Sequence, residues 1–402
     1  MPRIYANRSY SNGSSIVNTP LPTCPYGEVR VTQRTSILDL KSTFGVSALR
    51  EYVTVANGGT VSGAATTGTG EYSLNTTIVM GSAAALQSAE RGAYQSGFGA
   101  ETGMGIRLQP NFPVGQVAKW GFYDGTNGFY WQYDTVNKLS CNILRGGTTT
   151  QIVQSNFNTD LLDGTGPSTL VFDASRGNVF HILFSWYGYG SINFSIVMTD
   201  ANANQCVVPV HQFCVPWSTS TVTPHLPIRA EITNVSSLST GVMYLGGRQY
   251  CVLGNDHPPK RYTTVWQQGA AYSSTATRTL AIRRKQGYTG TRMCIQGIDC
   301  ITTSQAFYAV YQAATVVGGT WTVPTNMTAS ETGLEANTSF TLSTGGNLVY
   351  STLFDVSLNM AGRESMDIAI TEYDIFVVEL TAMSGSGKQS VIGNLLRVEE
   401  EW

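Results

Sequence analysis

Few residues in this chain are placed to do chemistry, and the acidic ones come first. Asp124, Asp134, Asp160, Asp163 and Asp173 lie near one another in sequence. Glycoside hydrolysis needs two carboxyl groups about 5–9 Å apart, so such a cluster raises that chemistry. The sharpest segments are Asp124-Gly125-Thr126-Asn127-Gly128 and Asp163-Gly164-Thr165-Gly166-Pro167. One reading is a calcium or carbohydrate-binding loop. The other is turn chemistry, with Asp accepting from nearby backbone N–H groups and Gly taking positive φ. Calcium wants more acidic oxygens at alternating positions than either segment holds, so turns are expected.

The four histidines, His181, His211, His225 and His257, show no paired metal spacing. The seven cysteines (Cys24, Cys141, Cys206, Cys214, Cys251, Cys294 and Cys300) include no CxxC pair. Cys206 with Cys214, and Cys294 with Cys300, could face each other across hairpins; the alternative is buried thiols in a protein assembled in a reducing cytoplasm. No G-x-S-x-G, H-E-x-x-H or phosphate-loop motif occurs. The expectation is a non-enzyme with no catalytic residue, no metal and no cofactor.

The second candidate set is aromatic. Trp120, Phe122, Tyr123, Phe129, Tyr130, Trp131 and Tyr133 crowd one stretch, and Trp186 and Tyr187 follow. Successive strand residues face opposite ways, so half of such a set faces a core and half faces out. Outward rings would stack on sugars or meet another subunit; the plainer alternative is two packed sheet layers. Trp131, Tyr133, Trp186 and Tyr187 are the candidate contact or glycan-stacking aromatics. Asn-x-Ser/Thr sites, among them Asn7, Asn75, Asn193, Asn234, Asn326 and Asn337, are within what chance supplies in so Ser/Thr/Asn-rich a chain.

These residues need elements to carry them, and the signals are mostly strands. Ile192, Phe194, Ile196 and Met198 alternate on one face, while Val179–Trp186 is a more continuous apolar run that suits a strand buried on both faces. Gly188, Gly190, Asn127-Gly128 and Gly146-Gly147 mark short turns, which favour an antiparallel sandwich over a βαβ fold. Two helix candidates stand out, 36–50 and the Ala-rich 82–92, the second also readable as a strand. Residues 1–35, with Pro20, Pro22 and Pro25, read as an extended N-terminal arm or a plain tail. A large β-sandwich domain is expected over 36–255 and a linker over 256–262, around Asp256-His257-Pro258-Pro259-Lys260. A C-terminal β-sandwich or jelly-roll-like domain is expected over 263–402, with strands near Thr279–Arg284, Ala306–Ala313, Leu348–Leu358 and Tyr373–Thr381. The fold class is therefore all-β, tandem β-sandwich or jelly-roll-like domains behind an arm.

Composition agrees. The chain has 402 residues, enough for two or three domains, and 42% are hydrophobic, enough for real cores. Only 12% are charged and the net charge is −2, so no strong field steers nucleic acid to it. Arg283-Arg284-Lys285 and Lys260-Arg261 read as strand ends or turns. Met1-Pro-Arg-Ile-Tyr5 carries no apolar signal-peptide core, and no run of about 18 apolar residues suggests membrane insertion.

Several segments taken in order carry a resemblance. They are Ser88-Ala-Glu-Arg-Gly92, Val117-Ala-Lys-Trp-Gly-Phe-Tyr-Asp-Gly-Thr-Asn-Gly128, Leu162-Asp-Gly-Thr-Gly-Pro-Ser168, Phe184-Ser-Trp-Tyr-Gly-Tyr-Gly190, Leu226-Pro-Ile-Arg-Ala-Glu231, Gly246-Gly-Arg-Gln-Tyr250 and the closing Arg397-Val-Glu-Glu-Glu-Trp402. Together they resemble a family of mostly uncharacterised β-rich virion structural proteins of bacteriophages and large DNA viruses. The resemblance implies a structural component of a virus particle (capsid-associated, neck or fibre protein), made in the host cytoplasm without a signal peptide. Its implied partners are other virion proteins and further copies of itself, a homo-oligomer. The alternative function is an adhesin of the virion that binds a host receptor or surface glycan. No catalytic residue is carried over.

Overall fold

The computed structural model describes residues 7–11, 16–20, 34–63, 68–185, 189–199, 205–213, 223–236, 238–254, 261–272, 275–286, 288, 292–302, 305–324, 327–354, 362–371, 374–383 and 390–401. Contacts divide the chain into a large unit (Met1–Ser88 and Tyr94–His257) and a small unit (Ala89–Ala93 and Pro258–Trp402). The expected linker residues Asp256–Lys260 lie outside the described residues. Within the expected arm, β1 (Asn7–Ser11) and β2 (Ile16–Pro20) pair as an antiparallel hairpin.

The large unit continues with β3 (Arg34–Leu40), β4 (Glu51–Ala56), β5 (Thr60–Ser62), β6 (Tyr72–Asn75), β7 (Ala83–Ser88), β8 (Gly99–Leu108), β9 (Gln116–Tyr123), β10 (Gly128–Asp134), β11 (Lys138–Arg145), β12 (Thr148–Val153), β13 (Asn178–Phe184), β14 (Ile192–Thr199), β15 (Gln205–Phe213), β16 (Ile228–Asn234) and β17 (Val242–Leu253). One sheet runs β12-β11-β10-β9-β16-β7-β4. The other runs β15-β14-β13-β8-β17-β6-β5, with β3 also on β17. Every pairing in both is antiparallel.

The two sheets close on one aromatic core. Trp120, Phe122, Phe129 and Trp131 of the first meet Phe180, Phe184, Phe194 and Tyr250 of the second. Trp131 stands edge-on to Phe194 at 5.0 Å, Trp120 edge-on to Phe180 at 4.7 Å, and Phe122 stacks on Tyr250 at 4.8 Å, geometries that add to simple burial. The aromatic stretch is thus a packed sandwich interior on one of its two faces.

The small unit holds β18 (Arg261–Tyr272), β19 (Thr277–Arg284), β20 (Arg292–Thr302), β21 (Ala306–Gln312), β22 (Thr315–Val317), β23 (Leu334–Asn337), β24 (Leu342–Thr344), β25 (Asn347–Phe354), β26 (Gly362–Ala369), β27 (Ile375–Ala382) and β28 (Ser390–Glu401). A β18-β28-β20-β26 sheet packs on a β23-β19-β27-β21-β25 sheet, and β22 and β24 form a separate ribbon. Val265, Met293, Ile295 and Val398 of the first meet Leu280, Ile282, Val310 and Val378 of the second. The fold is all-β, built of sandwiches.

Both helix candidates are overturned. β3 and the turn after it occupy 36–50, and Ala83–Ser88 is a strand. The alternation decides: Ala84 and Leu86, two apart, point into the core, while Gln87 faces out beside Arg229. Burial between β4 and β16 outweighs the helix propensity of alanine. Among the described residues the one helical element is a 3-10 turn at Gln154–Asn156. Strand β13 also differs from expectation. It ends at Phe184, and Val179 is 44% exposed. His181 lies 3.1 Å from the buried carboxylate of Glu101, so this strand has one apolar and one mixed face.

Candidate functional site

The outer face of the seven-stranded sheet carries the site. Register sets Asn142, Tyr130, Gly121, Arg229 and Gln87 side by side across five strands, and in the next row Ser140, Gln132, Lys119 and Glu231. Two glycines make room for two tyrosines. Gly121 is opposite Tyr130, where a Cβ would come within 2.6 Å of the Tyr130 Cα, and Gly128 is opposite Tyr123, where a Cβ would meet the Tyr123 Cα at 2.3 Å. The rings therefore lie down on the sheet and pack together, centroids 4.7 Å apart.

Around this pair opens a cleft of about 220 Å³, walled by Lys119, Asp124, Thr149, Arg229 and Glu231. Glu231 is its electrostatic centre. Arg229 donates to Glu231 Oε2 from Nε at 2.9 Å and Nη2 at 2.8 Å, and Lys119 Nζ lies 3.2 Å from Oε1. Arg229 Nη1 donates to Gln87 at 3.1 Å. Burial alone would raise the Glu231 pKa, but the charges of Lys119 and Arg229 outweigh it and hold the carboxyl below its ordinary value. The Tyr123 phenol is pushed well above its ordinary value, first by burial and then by the charge of Glu231. The cleft thus offers fixed carboxylates, a hydroxyl and a partly exposed ammonium above an apolar floor.

The sequence candidates fare differently. Trp131 is fully buried in the core, which corrects its assignment to an outward stacking platform. Tyr133 shares its inward phase and, half-buried, packs edge-on to Phe112 at 5.7 Å and Phe172 at 6.2 Å. Trp186 and Tyr187 lie outside the described residues. The outward aromatics are Tyr123 and Tyr130, one residue out of phase with the expectation. Lys119, Arg229 and Glu231 are not among the sequence candidates, because they sit on strands far apart in sequence and only register brings them together.

The aspartates form turns. Asp124 Oδ1 accepts the N–H groups of Thr126 and Asn127, both at 2.8 Å, and Asp163 Oδ1 accepts those of Thr165 at 2.9 Å and its hydroxyl at 2.6 Å. Asp134 and Asp173 do the same with Val136 and Ser175. Asp160 ties Leu162 to Ser168. No group of three metal-ligating side chains occurs among the described residues. Of the histidines, His211 Nδ1 accepts from the Asn158 N–H at 3.2 Å and His225 Nδ1 from that of Tyr94 at 3.3 Å; His257 lies outside the described residues. Cys141, Cys206 and Cys251 are free thiols, and Cys24 and Cys214 lie outside the described residues. Asn234 and Asn337 are buried. Arg283 pairs with Glu335, and the buried Arg284 donates to the Ile370 carbonyl, so this basic spot is structural.

No protein-family model matches the chain, and no curated protein matches it. Among solved structures it is similar to the Emp47p carbohydrate recognition domain, at 10% identity over 55% of this chain and 95% of that one, TM-score 0.34. It is similar to peanut lectin with a 9mer peptide at 8% identity over 54% and 97%, TM-score 0.33. A β-1,3-glucanase from Mycobacterium marinum shares 9% identity over 54% and 98%, TM-score 0.35.

Proposed function

We propose that the large unit is a saccharide-binding module and that the Glu231 cleft is where it binds. The observation that carries this reading is the ionised Glu231, held between Lys119 and Arg229 over the packed Tyr123–Tyr130 pair. Sugar hydroxyls donate to carboxylates and accept from ammonium groups, and Glu231 and Lys119 both line the cleft. Lys119, at 32% side-chain exposure, keeps donors turned to solvent. Binding fits better than hydrolysis. A glycosidase's acid must carry a proton at working pH, and the two cations lower the Glu231 pKa rather than raise it, so Glu231 does not suit that role. A glycan array probed with the whole chain tests this. Hits that disappear in Glu231→Gln and in Lys119→Ala are expected; an array without hits, or hits indifferent to both changes, would overturn it.

A second reading is a subunit of an assembled virus particle, in contact with further copies of itself. What favours it is an apolar cap on the large unit. The segments 76–82, 111–116 and 234–241 carry no charged residue. They are tied together by the Gly81 N–H to the Asn234 carbonyl at 2.8 Å, the Val235 N–H to the Gly115 carbonyl at 2.9 Å, and Gln116 to Ser239 at 2.8 Å. They present Ile78, Met80, Val114 and Leu238 to solvent, the last 91% exposed. Exposed apolar groups on segments bonded to one another suit a subunit interface. Light scattering of the purified chain should give a mass above that of the monomer, falling to it in a Met80→Ser/Leu238→Ser variant; a monomer at all concentrations would count against this reading.

A further inference from the structure

We propose a second ligand site, in the small unit, that takes a sugar acid through Arg278. On the outer face of the five-stranded sheet, Arg278 of β19 sits opposite Glu379 of β27. Arg278 Nε donates to Glu379 Oε2 at 3.0 Å, Nη1 donates to Ser343 Oγ at 3.2 Å, and the guanidinium lies 4.6 Å over the Tyr311 ring. The Tyr311 hydroxyl donates to the other carboxylate oxygen of Glu379 at 3.2 Å. These contacts clamp the guanidinium plane.

A cleft of about 490 Å³ opens beside it, lined by Thr277, Phe340, Thr341, Leu342, Ser343 and Thr344 besides the ion pair. A guanidinium carries five N–H donors. Glu379 and Ser343 take two, and among the described residues nothing accepts the rest, although the Arg278 side chain is only 15% exposed. A clamped cation with unused donors at a cleft wall suits a planar carboxylate, which guanidinium binds through paired hydrogen bonds. The Ser and Thr hydroxyls suit ring hydroxyls, and Phe340 with Leu342 suits the apolar ring face. Glu379, bonded to Arg278 and Tyr311, orients the guanidinium. An ion pair serving only to join β19 to β27 would need neither the Ser343 contact nor the ribbon-walled cleft. This site belongs to the other unit and does not require the Glu231 cleft to bind anything.

Saturation-transfer NMR of the whole chain with glucuronic acid and with N-acetylneuraminic acid tests the proposal, with glucose, galactose and inorganic sulfate as comparison ligands. The acids should bind, glucose and galactose should bind at least about tenfold more loosely, and Arg278→Gln should weaken the acids by about tenfold or more. Thr344→Trp, on an exposed ribbon position that leaves the ion pair intact, should block them equally. Val136→Ser, at an exposed turn position that lines neither cleft, should leave their binding unchanged. No binding of either acid, binding undisturbed by both small-unit variants, or sulfate binding as tightly as the sugar acids would each overturn the proposal.

Discussion

The outer faces of the two units use the same residue types differently. In the large unit Glu231 receives two cations, Arg229 spends Nε, Nη1 and Nη2 on protein acceptors, and the tyrosines beneath are almost fully buried. In the small unit Glu379 receives one guanidinium and one phenol, and Arg278 spends only Nε and Nη1. Both clusters come from cross-strand register on a face that is not the core. The difference lies in how many donors remain. Arg229 has three of its five donors engaged and Arg278 two, so the Arg278 guanidinium is the less committed of the two.

Changes to the core and floor of the large unit sharpen this contrast most. Trp131→Ala empties a fully buried site and should cost about 3–5 kcal/mol in denaturant unfolding. Gly121→Ala places a Cβ 2.4 Å from the Phe129 carbonyl oxygen and should cost about 1–3 kcal/mol, since β9 and β10 must part. At the Arg278 cleft Gly345 has open space around a Cβ.

The two carboxylates should rank next. Glu231→Gln leaves Lys119 and Arg229 facing each other at part-buried positions and should cost about 1–2 kcal/mol. Glu379→Gln, with one cation partner, should cost about 1 kcal/mol or less; equal costs would break the comparison. The Glu231 effect should also depend on pH. A carboxyl whose folded pKa is depressed stabilises the fold above its unfolded value, and that stability is lost as pH falls through the folded value. The melting temperatures of wild type and Glu231→Gln should therefore differ at neutral pH and converge in acid. Smallest is Tyr311→Phe, which removes one hydrogen bond to Glu379 and should cost about 0.5–1 kcal/mol.

Alternation made the sandwich legible. Ile192, Phe194 and Ile196 face the core as their spacing predicts, and glycine-marked turns join antiparallel neighbours. Phase was not legible within the aromatic stretch. Both faces there carry large rings, so only the partner strand decides which set is inside, and Cys141 opposite Trp131 and Asn142 opposite Tyr130 settle it. The clusters were hidden for a different reason. Lys119 meets Glu231, and Arg278 meets Glu379, only through strand pairing across long stretches of chain, and pairing register between distant strands leaves no local mark. The Ala-rich segment misled because propensity is weaker than burial.

The central claim is that the outward face, not the buried tryptophans, recognises saccharide. Calorimetric titration of the whole chain with its strongest array ligand tests it across wild type, Glu231→Gln and Trp131→Phe. The account predicts that Glu231→Gln weakens binding about tenfold or more while Trp131→Phe binds like wild type. Unchanged affinity in Glu231→Gln alongside loss in a folded Trp131→Phe protein would contradict it.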